Sequence, residues 1–304
     1  MTTGPAMRPD WIAVDWGTSH CRAWAMTATG SHLAHARSDR GMGTLTRDDY
    51  PQALLDLVGP WLSDRPLRAM VCGMAGSRQG WVEAPYTAVP CRPDALTTVN
   101  APMADPRLSV TVIGGVRQNK PADVMRGEET QIAGFLQKNQ GFDGVLCLPG
   151  THSKWVQISA GEIVSFRTFM TGEIFALLAD RSVLRHTLDQ EWDEAAFRDA
   201  LSEAISRPET VAHRLFSIRA ESLLSDLAPG AARARLSGLL IGMELAAARA
   251  YWLGQQVAVI GSAGPAQHYH TALSEQGLTP IQTDGDAMTL AGLFAAYKTQ
   301  KATV

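Results

Sequence analysis

The chain lacks the charge pattern of a nucleic-acid-binding protein. Its 304 residues include 27 Lys plus Arg against 30 Asp plus Glu, which gives a formal net charge of −3. No long basic run is present that could follow a phosphate backbone. A nucleic acid is therefore not an expected partner.

Cysteine and long apolar runs are also scarce. The four cysteines, Cys21, Cys72, Cys91 and Cys147, are widely spaced, without a CxxC pair or histidines at the spacing of a zinc site. We expect reduced, mostly buried thiols. The N-terminus lacks the apolar region of a signal peptide, and no apolar run approaches the roughly 20 residues of a membrane span. These absences predict a soluble, cytoplasmic protein with no membrane partner.

Two common phosphate-binding fingerprints are absent as well. No glycine-rich segment ends in Gly-Lys-Ser or Gly-Lys-Thr, which argues against a P-loop kinase. The glycines at 261–264 do not have GxGxxG spacing and lie near the C-terminus, which argues against a dinucleotide-dependent dehydrogenase. A nucleotide site in this chain must use another phosphate motif.

Residues 12–24 contain a candidate for such a motif. An apolar run stops at Asp15 and enters the turn Gly17-Thr18-Ser19. This pattern predicts a buried strand followed by a tight turn, whose hydroxyls and amides can bind phosphate oxygens. Asp15 would hold Mg²⁺, because this ion needs only one or two carboxylates besides the phosphates. An ordinary hairpin, in which Asp and Gly serve the turn, is the alternative interpretation.

A similar strand, turn and strand recur in the second half of the chain. Residues 145–156 repeat the order, with a turn at Gly150-Thr151. Such a repeat predicts two related lobes, and 304 residues suit two domains better than one. We place an N-terminal lobe at residues 1–140 and a C-terminal lobe at 141–304, whose final helix could pack back on the first lobe.

Apolar periodicity predicts further helices in the second half, including one over 231–252 and a last one over 286–297. His268 and His270 are separated by one residue on another predicted helix and so point to different faces. A surface helix is therefore preferred there over a metal pair.

Several motifs together resemble a known superfamily. These are residues 15–19 with Arg22 as a first phosphate motif, 148–155 as a second, 259–264 as an adenosine motif, and the stretches 73–77 and 169–173. The combination is similar to the sugar kinase, Hsp70 and actin superfamily, and within it to the 2-dehydro-3-deoxygalactonokinases. The resemblance implies an α/β, two-lobed actin-like ATPase fold of duplicated ribonuclease H-like domains, with the nucleotide in the interlobe cleft and with ATP and Mg²⁺ as cofactors.

The motifs and the resemblance assign candidate site residues. The catalytic candidates are Asp15, which is also the metal ligand, Glu128, Glu129 and Lys154. The ATP-binding candidates are Gly17, Thr18, Ser19, Arg22, Gly150, Thr151, His152, Ser153, Gly261, Ser262, Ala263 and Gly264. The substrate-binding candidates are Gly76, Ser77, Arg78, Arg126, Arg167, Thr171 and Glu173.

Two of these assignments leave alternatives open. Glu128 and Glu129 are adjacent at a predicted helix start and cannot both face one substrate, so Glu128 is the first candidate for a general base and Glu129 the second. Acidic residues are also favoured in any first helical turn by the helix dipole. A sugar acid needs a cation for its carboxylate, and Arg78, Arg126 and Arg167 are the candidates, although each could be a solvated surface arginine.

The resemblance implies an ATP-dependent kinase that phosphorylates the 6-hydroxyl of 2-dehydro-3-deoxy-D-galactonate in galactonate catabolism. A kinase for the gluconate epimer and a non-catalytic actin-like ATP-binding sensor are the alternatives. The expected partners are a small sugar acid and ATP, and the sequence leaves a homodimer open.

Overall fold

The computed structural model describes residues 8–302 of the chain. Its strands are β1 (Trp11–Trp16), β2 (Cys21–Met26), β3 (His32–Ser38), β4 (Leu67–Gly73), β5 (Tyr86–Ala88), β6 (Thr98–Ala101), β7 (Leu108–Ile113), β8 (Gly115–Asn119), β9 (Ala122–Met125), β10 (Gly144–Leu148), β11 (Ser153–Ser159), β12 (Glu162–Phe169), β13 (Val257–Gly261) and β14 (Ile281–Asp284). Its helices are α1 (Tyr50–Val58), α2 (Glu128–Lys138), α3 (Thr171–Arg181), α4 (Glu194–Ser206), α5 (Val211–Leu224), α6 (Pro229–Ala247), α7 (Arg249–Trp252), α8 (Ala263–Ser274) and α9 (Gly285–Ala302).

These elements form two structural units. The first comprises the described part of Met1–Phe142 together with Ser159–Ser165 and the described part of Gly285–Val304. The second comprises Asp143–Ile158 and Phe166–Asp284. The boundary expected at 140/141 lies after Phe142 in the structure, and the last helix belongs to the first unit, in line with the expectation that it could pack back on that lobe. The short segment 159–165, which was expected in the second lobe, also belongs to the first unit.

The first unit is built on a sheet with the strand order β3-β2-β1-β4-β7-β6. β2 is antiparallel to both β1 and β3, whereas β4 is parallel to both β1 and β7. β6 adds an antiparallel edge. β1, β4 and β7 are almost completely buried, as expected for parallel strands that are covered on both faces. β5, β8 and β9 form a separate three-stranded sheet.

The sheet of the second unit repeats this arrangement. Its strand order is β12-β11-β10-β13-β14. β10 is antiparallel to β11 and parallel to β13, which is itself parallel to β14. These pairings match those of β1 with β2, of β1 with β4, and of β4 with β7. The structure thus shows one topology twice, with the strand-turn-strand segments of the sequence at the same place in each sheet.

Aromatic side chains pack on both faces of the first sheet. On one face, the Trp16 and Tyr50 ring centroids lie 4.7 Å apart, and those of Tyr50 and Trp81 lie 5.9 Å apart. On the other face, Trp11 stacks on Tyr297 at 4.6 Å, so α9 packs directly on β1. These contacts explain why the last helix belongs to the first unit.

Glycine allows α2 and α9 to cross closely. A Cβ at Gly134 would lie 2.0 Å from the Met288 carbonyl oxygen, and one at Gly292 would lie 1.9 Å from that of Thr130. Only glycine leaves room for backbones at this separation. The crossing holds the N-terminal part of α2 in a fixed position on the first unit.

The remaining expectations concern cysteines and membrane spans. All four cysteines are buried free thiols, as predicted. Within residues 8–302, no helix is both long enough and apolar enough to span a membrane.

Candidate active site

The predicted site residues fall in both units. In the first unit, Asp15 lies near the carboxyl end of β1, directly opposite Arg22 of β2. Arg22 donates hydrogen bonds to Asp15 and to Asp286, the second residue of α9. Burial alone would lower the pKa of Arg22, but these two carboxylates raise it above its usual range. Asp286 was not predicted from the sequence.

The turn that follows Asp15 is exposed but well supported. The Gly17 amide donates to the His20 carbonyl at 2.8 Å, and the Gly43 amide donates to the Thr18 carbonyl at 2.9 Å. Thr18 and Ser19 themselves are exposed to solvent. An exposed hairpin turn with hydroxyls and amides, held by its own backbone bonds, is suited to bind phosphate.

Two glycines bring the start of α2 next to Asp15. Gly73 has φ +85°, and a Cβ there would lie 2.6 Å from the Trp16 carbonyl oxygen and 3.3 Å from Asp15 Oδ1. Gly127, with φ +108°, precedes α2, and a Cβ on it would lie 3.4 Å from Gly73 Cα. Both backbone conformations strongly favour glycine. The ends of β1 and β4 and the start of α2 therefore meet at one place.

The two adjacent glutamates at the start of α2 differ in accessibility. Glu129 is 0% exposed, and both of its carboxylate oxygens accept from the Gly127 amide, at 2.8 and 2.7 Å. Burial, and next the charge of Glu128, raise the pKa of Glu129 to about 7. Glu128 is half-buried and accepts from the Arg126 amide at 3.0 Å. Only Glu128 has a surface from which it could contact a substrate.

Arg126 is a buried cation with open hydrogen-bonding capacity. It is 9% exposed, its Nη2 donates to the Ala84 carbonyl at 2.8 Å, and its guanidinium carbon lies 4.3 Å from the centre of the Tyr86 ring. Among residues 8–302, its Nε and Nη1 atoms have no hydrogen-bond partner. A Cβ at Gly76 would lie 2.7 Å from Nη1. Buried donors of this kind are nearly always satisfied, so an anionic ligand is a natural partner.

The other predicted residues around the substrate behave differently. The side chain of Arg78 is 81% exposed and lies 3.5 Å from Glu83. Arg167 is an exposed residue of β12 in the second unit. Ser77 is buried, and its hydroxyl donates to the Met42 sulfur at 3.2 Å. Of the three predicted arginines, Arg126 alone combines burial with unpartnered donors in the described structure.

In the second unit, the start of α3 packs against the predicted second phosphate turn. A Cβ at Gly172 would lie 2.2 Å from the Gly150 carbonyl oxygen, and the Glu173 amide donates to the Thr151 carbonyl at 2.9 Å. His152 Nε2 lies 2.5 Å from Glu173 Oε2. The sequence assigned the Gly150 turn to ATP and Glu173 to the substrate, and the structure places these residues side by side.

The next two residues of this motif are turned into the protein. Ser153 is fully buried, and its hydroxyl lies 2.9 Å from the Tyr269 hydroxyl. Lys154 is 3% exposed, and its ammonium group donates to the His152 carbonyl at 2.9 Å. Their side chains therefore support the turn from its buried side, while Gly150, Thr151 and His152 are exposed.

A buried carboxylate that was not predicted lies beneath the same motif. Glu244 of α6 accepts from Trp155 Nε1 at 2.7 Å, from the Tyr269 hydroxyl at 2.6 Å and from the Thr171 hydroxyl. Burial raises the pKa of Glu244, although these hydrogen bonds act in the opposite direction. The hydroxyl of Thr171, a predicted substrate-binding residue, is thus held by Glu244.

The second unit also contains a cavity of about 430 Å³. Gly150, Gly264, Arg233 and the rings of Trp192 and His268 are part of its lining. These two rings stack with their centroids 4.1 Å apart. The volume and the mixture of flat rings and a few polar groups are typical of small-molecule sites.

The structure refines one expectation about α8. The segment around His268 is expected to be a surface helix, and residues 263–265 are exposed, but Tyr269 is buried and His268 lines the cavity. Partial burial lowers the pKa of His268. Trp192 lies far away in the chain, so its stacking on His268 could not be read from the local pattern.

The predicted adenosine motif reaches this cavity at Gly264, which is part of the lining. β13 ends at Gly261, Ser262 precedes the first helical residue, and α8 begins at Ala263. Gly264 has no atom within 4 Å of an added Cβ, so the space next to it is open. A strand end that passes into a helix start leaves backbone amides available to a ligand.

Comparisons with known proteins agree with these features. The family model described as 2-keto-3-deoxy-galactonokinase matches residues 15–296. A probable 2-dehydro-3-deoxygalactonokinase of Rhizobium meliloti (strain 1021) is 38% identical over 295 residues, which is 95% of this chain and 96% of that protein. The 2-dehydro-3-deoxygalactonokinase of Escherichia coli (strain K12) is 31% identical over 292 residues, or 94% of this chain and 97% of that protein.

Solved structures give the same result for the fold. A 2-dehydro-3-deoxygalactonokinase candidate from Sinorhizobium meliloti superimposes with a TM-score of 0.89 at 38% identity, covering 95% of this chain and 96% of that one. An activator of 2-hydroxyisocaproyl-CoA dehydratase from Clostridium difficile, solved with ADPNP, has a TM-score of 0.55 at 13% identity, with 96% of both chains covered. The predicted α/β actin-like ATPase fold is confirmed. The chain belongs to the 2-keto-3-deoxy-galactonokinase family and is a phosphotransferase.

Proposed function

We propose that the protein transfers the γ-phosphoryl group of ATP to the 6-hydroxyl of 2-dehydro-3-deoxy-D-galactonate, giving the 6-phosphate and ADP in galactonate catabolism. Family membership supports the reaction type. The observation that supports an acidic substrate is the state of Arg126, whose buried guanidinium has two unpartnered donors in the described structure. Its charge is suited to the substrate carboxylate, and its stacking on Tyr86 limits the directions from which a ligand can approach.

The residues around Asp15 fit Mg²⁺. This ion prefers oxygen ligands and usually needs only one or two carboxylates beside the phosphates and water. Asp15 is such a carboxylate, next to the exposed turn of Thr18 and Ser19. Across residues 8–302, no group of three or more His, Cys, Asp or Glu residues is arranged to hold a metal by itself, so the ATP phosphates and water would have to supply the other ligands. When bound, Mg²⁺ would neutralise charge on the phosphates.

Nucleotide binding is proposed for the remaining motif residues. In the first unit, Gly17, Thr18 and Ser19 would bind phosphate oxygens, and Arg22 would add positive charge. In the second unit, the phosphate and adenosine motifs would bind the nucleotide at residues 150–153 and 261–264. The cavity between Trp192 and Gly264 has the flat aromatic wall that a purine base requires.

Glu128 is the proposed general base. The 6-hydroxyl oxygen would form a bond to the γ-phosphorus as the bond to the ADP oxygen breaks, and the hydroxyl proton would pass to the Glu128 carboxylate. Glu129 is buried and holds Gly127, so we assign it to positioning this turn. Lys154 is buried and its ammonium group donates to the His152 carbonyl, so it would act by holding the second phosphate turn in place and not by contacting the transferred group.

A coupled ADP-release assay over several 2-keto-3-deoxy sugar acids tests this function. The galactonate derivative should give the highest turnover per KM, and faster turnover of the gluconate epimer would reassign the substrate. Absence of acceptor-dependent turnover with every acid would refute the kinase proposal and favour the ATP-binding sensor. Asp15→Asn should remove nearly all turnover, and normal rates in that variant would refute the metal role of Asp15.

The two glutamates are separated by their own variants. Glu128→Gln should lower kcat by about 100-fold or more, the usual contribution of a positioned acid or base. Glu129→Gln keeps an acceptor for Gly127 and should retain most of the rate. If both variants lower kcat only slightly and to the same extent, neither glutamate is the general base, and both are ordinary acidic residues at a helix start. A cytoplasmic location and a homodimer stay as predictions from the sequence.

A further inference from the structure

Glu244 joins three elements of the second unit at one buried point. It lies on α6 and is 2% exposed. Its hydrogen-bond donors are the indole of Trp155 in β11 and the hydroxyls of Thr171 at the start of α3, Tyr269 in α8 and Ser153 in β11. A single carboxylate on a buried helix therefore contacts a strand and two further helices.

Each of these three elements adjoins a nucleotide motif. Trp155 follows the second phosphate turn directly, and its strand begins at Ser153. Thr171 is the first residue of α3, and the next residue, Gly172, packs on the Gly150 carbonyl. Tyr269 belongs to α8, which begins inside the adenosine motif. Both Thr171 and Tyr269 also line the cavity of about 430 Å³.

Stability alone is a poor reason for this arrangement. The donors to Glu244 are neutral groups, and a buried carboxylate costs free energy that such hydrogen bonds only partly offset. Well-packed apolar residues of similar volume often give equal or greater stability. What a carboxylate adds is two acceptor atoms that fix several donors at defined separations.

We propose that Glu244 is a positioning residue for the nucleotide. It holds the phosphate turn at Gly150, the start of α3 and the start of α8 at the spacing that binds ATP. It does so through Thr171 and Tyr269, and it does not itself contact the ligand. This inference rests on the proposed use of ATP as phosphoryl donor.

Thr171→Val is the first test, because it removes one donor to Glu244 and keeps the shape of the side chain. This inference reassigns the Thr171 hydroxyl, predicted from the sequence to bind the substrate, to Glu244. We therefore expect the KM for ATP to rise about 5- to 10-fold, the effect of one lost hydrogen bond, while the KM for the sugar acid stays within about 2-fold. Tyr269→Phe should show the same selectivity. In a Glu244→Gln background, Thr171→Val should add a smaller effect on ATP than it has alone, because the two residues act as a unit.

Trp252→Phe is a matched control. Trp252 is buried in the same unit, and its indole donates to the carbonyl of Leu245, the neighbour of Glu244, at 2.8 Å. Its loss removes a similar buried hydrogen bond that involves neither the Glu244 carboxylate nor a residue of the two nucleotide motifs. The melting temperature should fall, and the KM for ATP should remain that of the unchanged protein.

Calorimetric titration with a non-hydrolysable ATP analogue separates this inference from the proposed function. If the unchanged protein binds the analogue but phosphorylates no sugar acid, the proposed function fails, and weaker analogue binding by Thr171→Val still supports the role of Glu244. If Thr171→Val and Tyr269→Phe lower only the melting temperature, as Trp252→Phe should, the inference is overturned. Absence of analogue binding by the unchanged protein would overturn it too.

Discussion

The buried carboxyl group of Glu129 should make the protein less stable as the pH rises. Burial, together with the charge of Glu128, raises its pKa from the ordinary 4.5 to about 7. The folded chain thus holds this proton more tightly than the unfolded chain does. The resulting stabilisation is fully present below pH 4.5 and is lost as the pH rises through about 7. The difference between the two pKa values corresponds to about 3 kcal/mol.

Glu129→Gln isolates this contribution. Glutamine has nearly the same shape, keeps an acceptor for the Gly127 amide and does not titrate. Chemical denaturation of both proteins at pH values from 4.5 to above 7 gives the free energy of unfolding of each. The variant should gain about 3 kcal/mol relative to the unchanged protein over this range, since the other titrating groups cancel in the difference.

Glu128→Gln is the control for this experiment. It removes the neighbouring charge but leaves Glu129 buried, and burial is the larger cause of the raised pKa. That variant should therefore keep most of the pH dependence, with its midpoint at a lower pH. If the difference between Glu129→Gln and the unchanged protein is the same at every pH, the argument from burial is refuted.

Three further predictions concern ligand affinity. Arg126→Met should raise the KM for the sugar acid about 10- to 100-fold with little change for ATP, whereas the exposed Arg78→Met should leave both values nearly unchanged. Equal effects of the two variants in steady-state assays would remove Arg126 from the substrate site. Gly264→Ala adds a methyl group in open space and should raise the KM for ATP without lowering the melting temperature. Gly172→Ala would place a Cβ 2.2 Å from the Gly150 carbonyl oxygen, so it should raise the KM for ATP and also lower the melting temperature. A normal melting temperature in this variant would contradict the argument.

The predictable part of the molecule is the part encoded by local pattern. The apolar run before Asp15 and its repeat before Gly150 predicted two strand-turn-strand segments, and both are present at equivalent places in the two sheets. The family and the fold class that these motifs indicated are confirmed. Helix limits were less accurate. The helix predicted over 231–252 is divided into α6 and α7 at Ala248.

The site residues that escaped prediction depend on contacts between distant parts of the chain. Arg22 meets Asp286 across 264 positions, and Glu244 meets Trp155 across 89. Arg126 could not be preferred over two other arginines, because its burial comes from Ala84 and Tyr86, about 40 positions earlier. No periodicity or short motif carries such information, since each contact depends on how whole elements pack.

The two repeated hairpins have the same topology but different chemistry. In the first unit, Asp15 lies opposite Arg22, whereas in the second unit, Leu148 lies opposite Lys154. Both hairpins thus carry a basic residue on the second strand, but only the first has a carboxylate at the end of the first strand. Because the Leu148 position is buried, a carboxylate there would pay a desolvation cost. The duplicated fold therefore places a proposed phosphate turn in each unit, while the carboxylate proposed as the metal ligand has no counterpart at Leu148 in the second unit. This difference is the physical reason to expect Asp15→Asn to abolish turnover without compensation from the second hairpin.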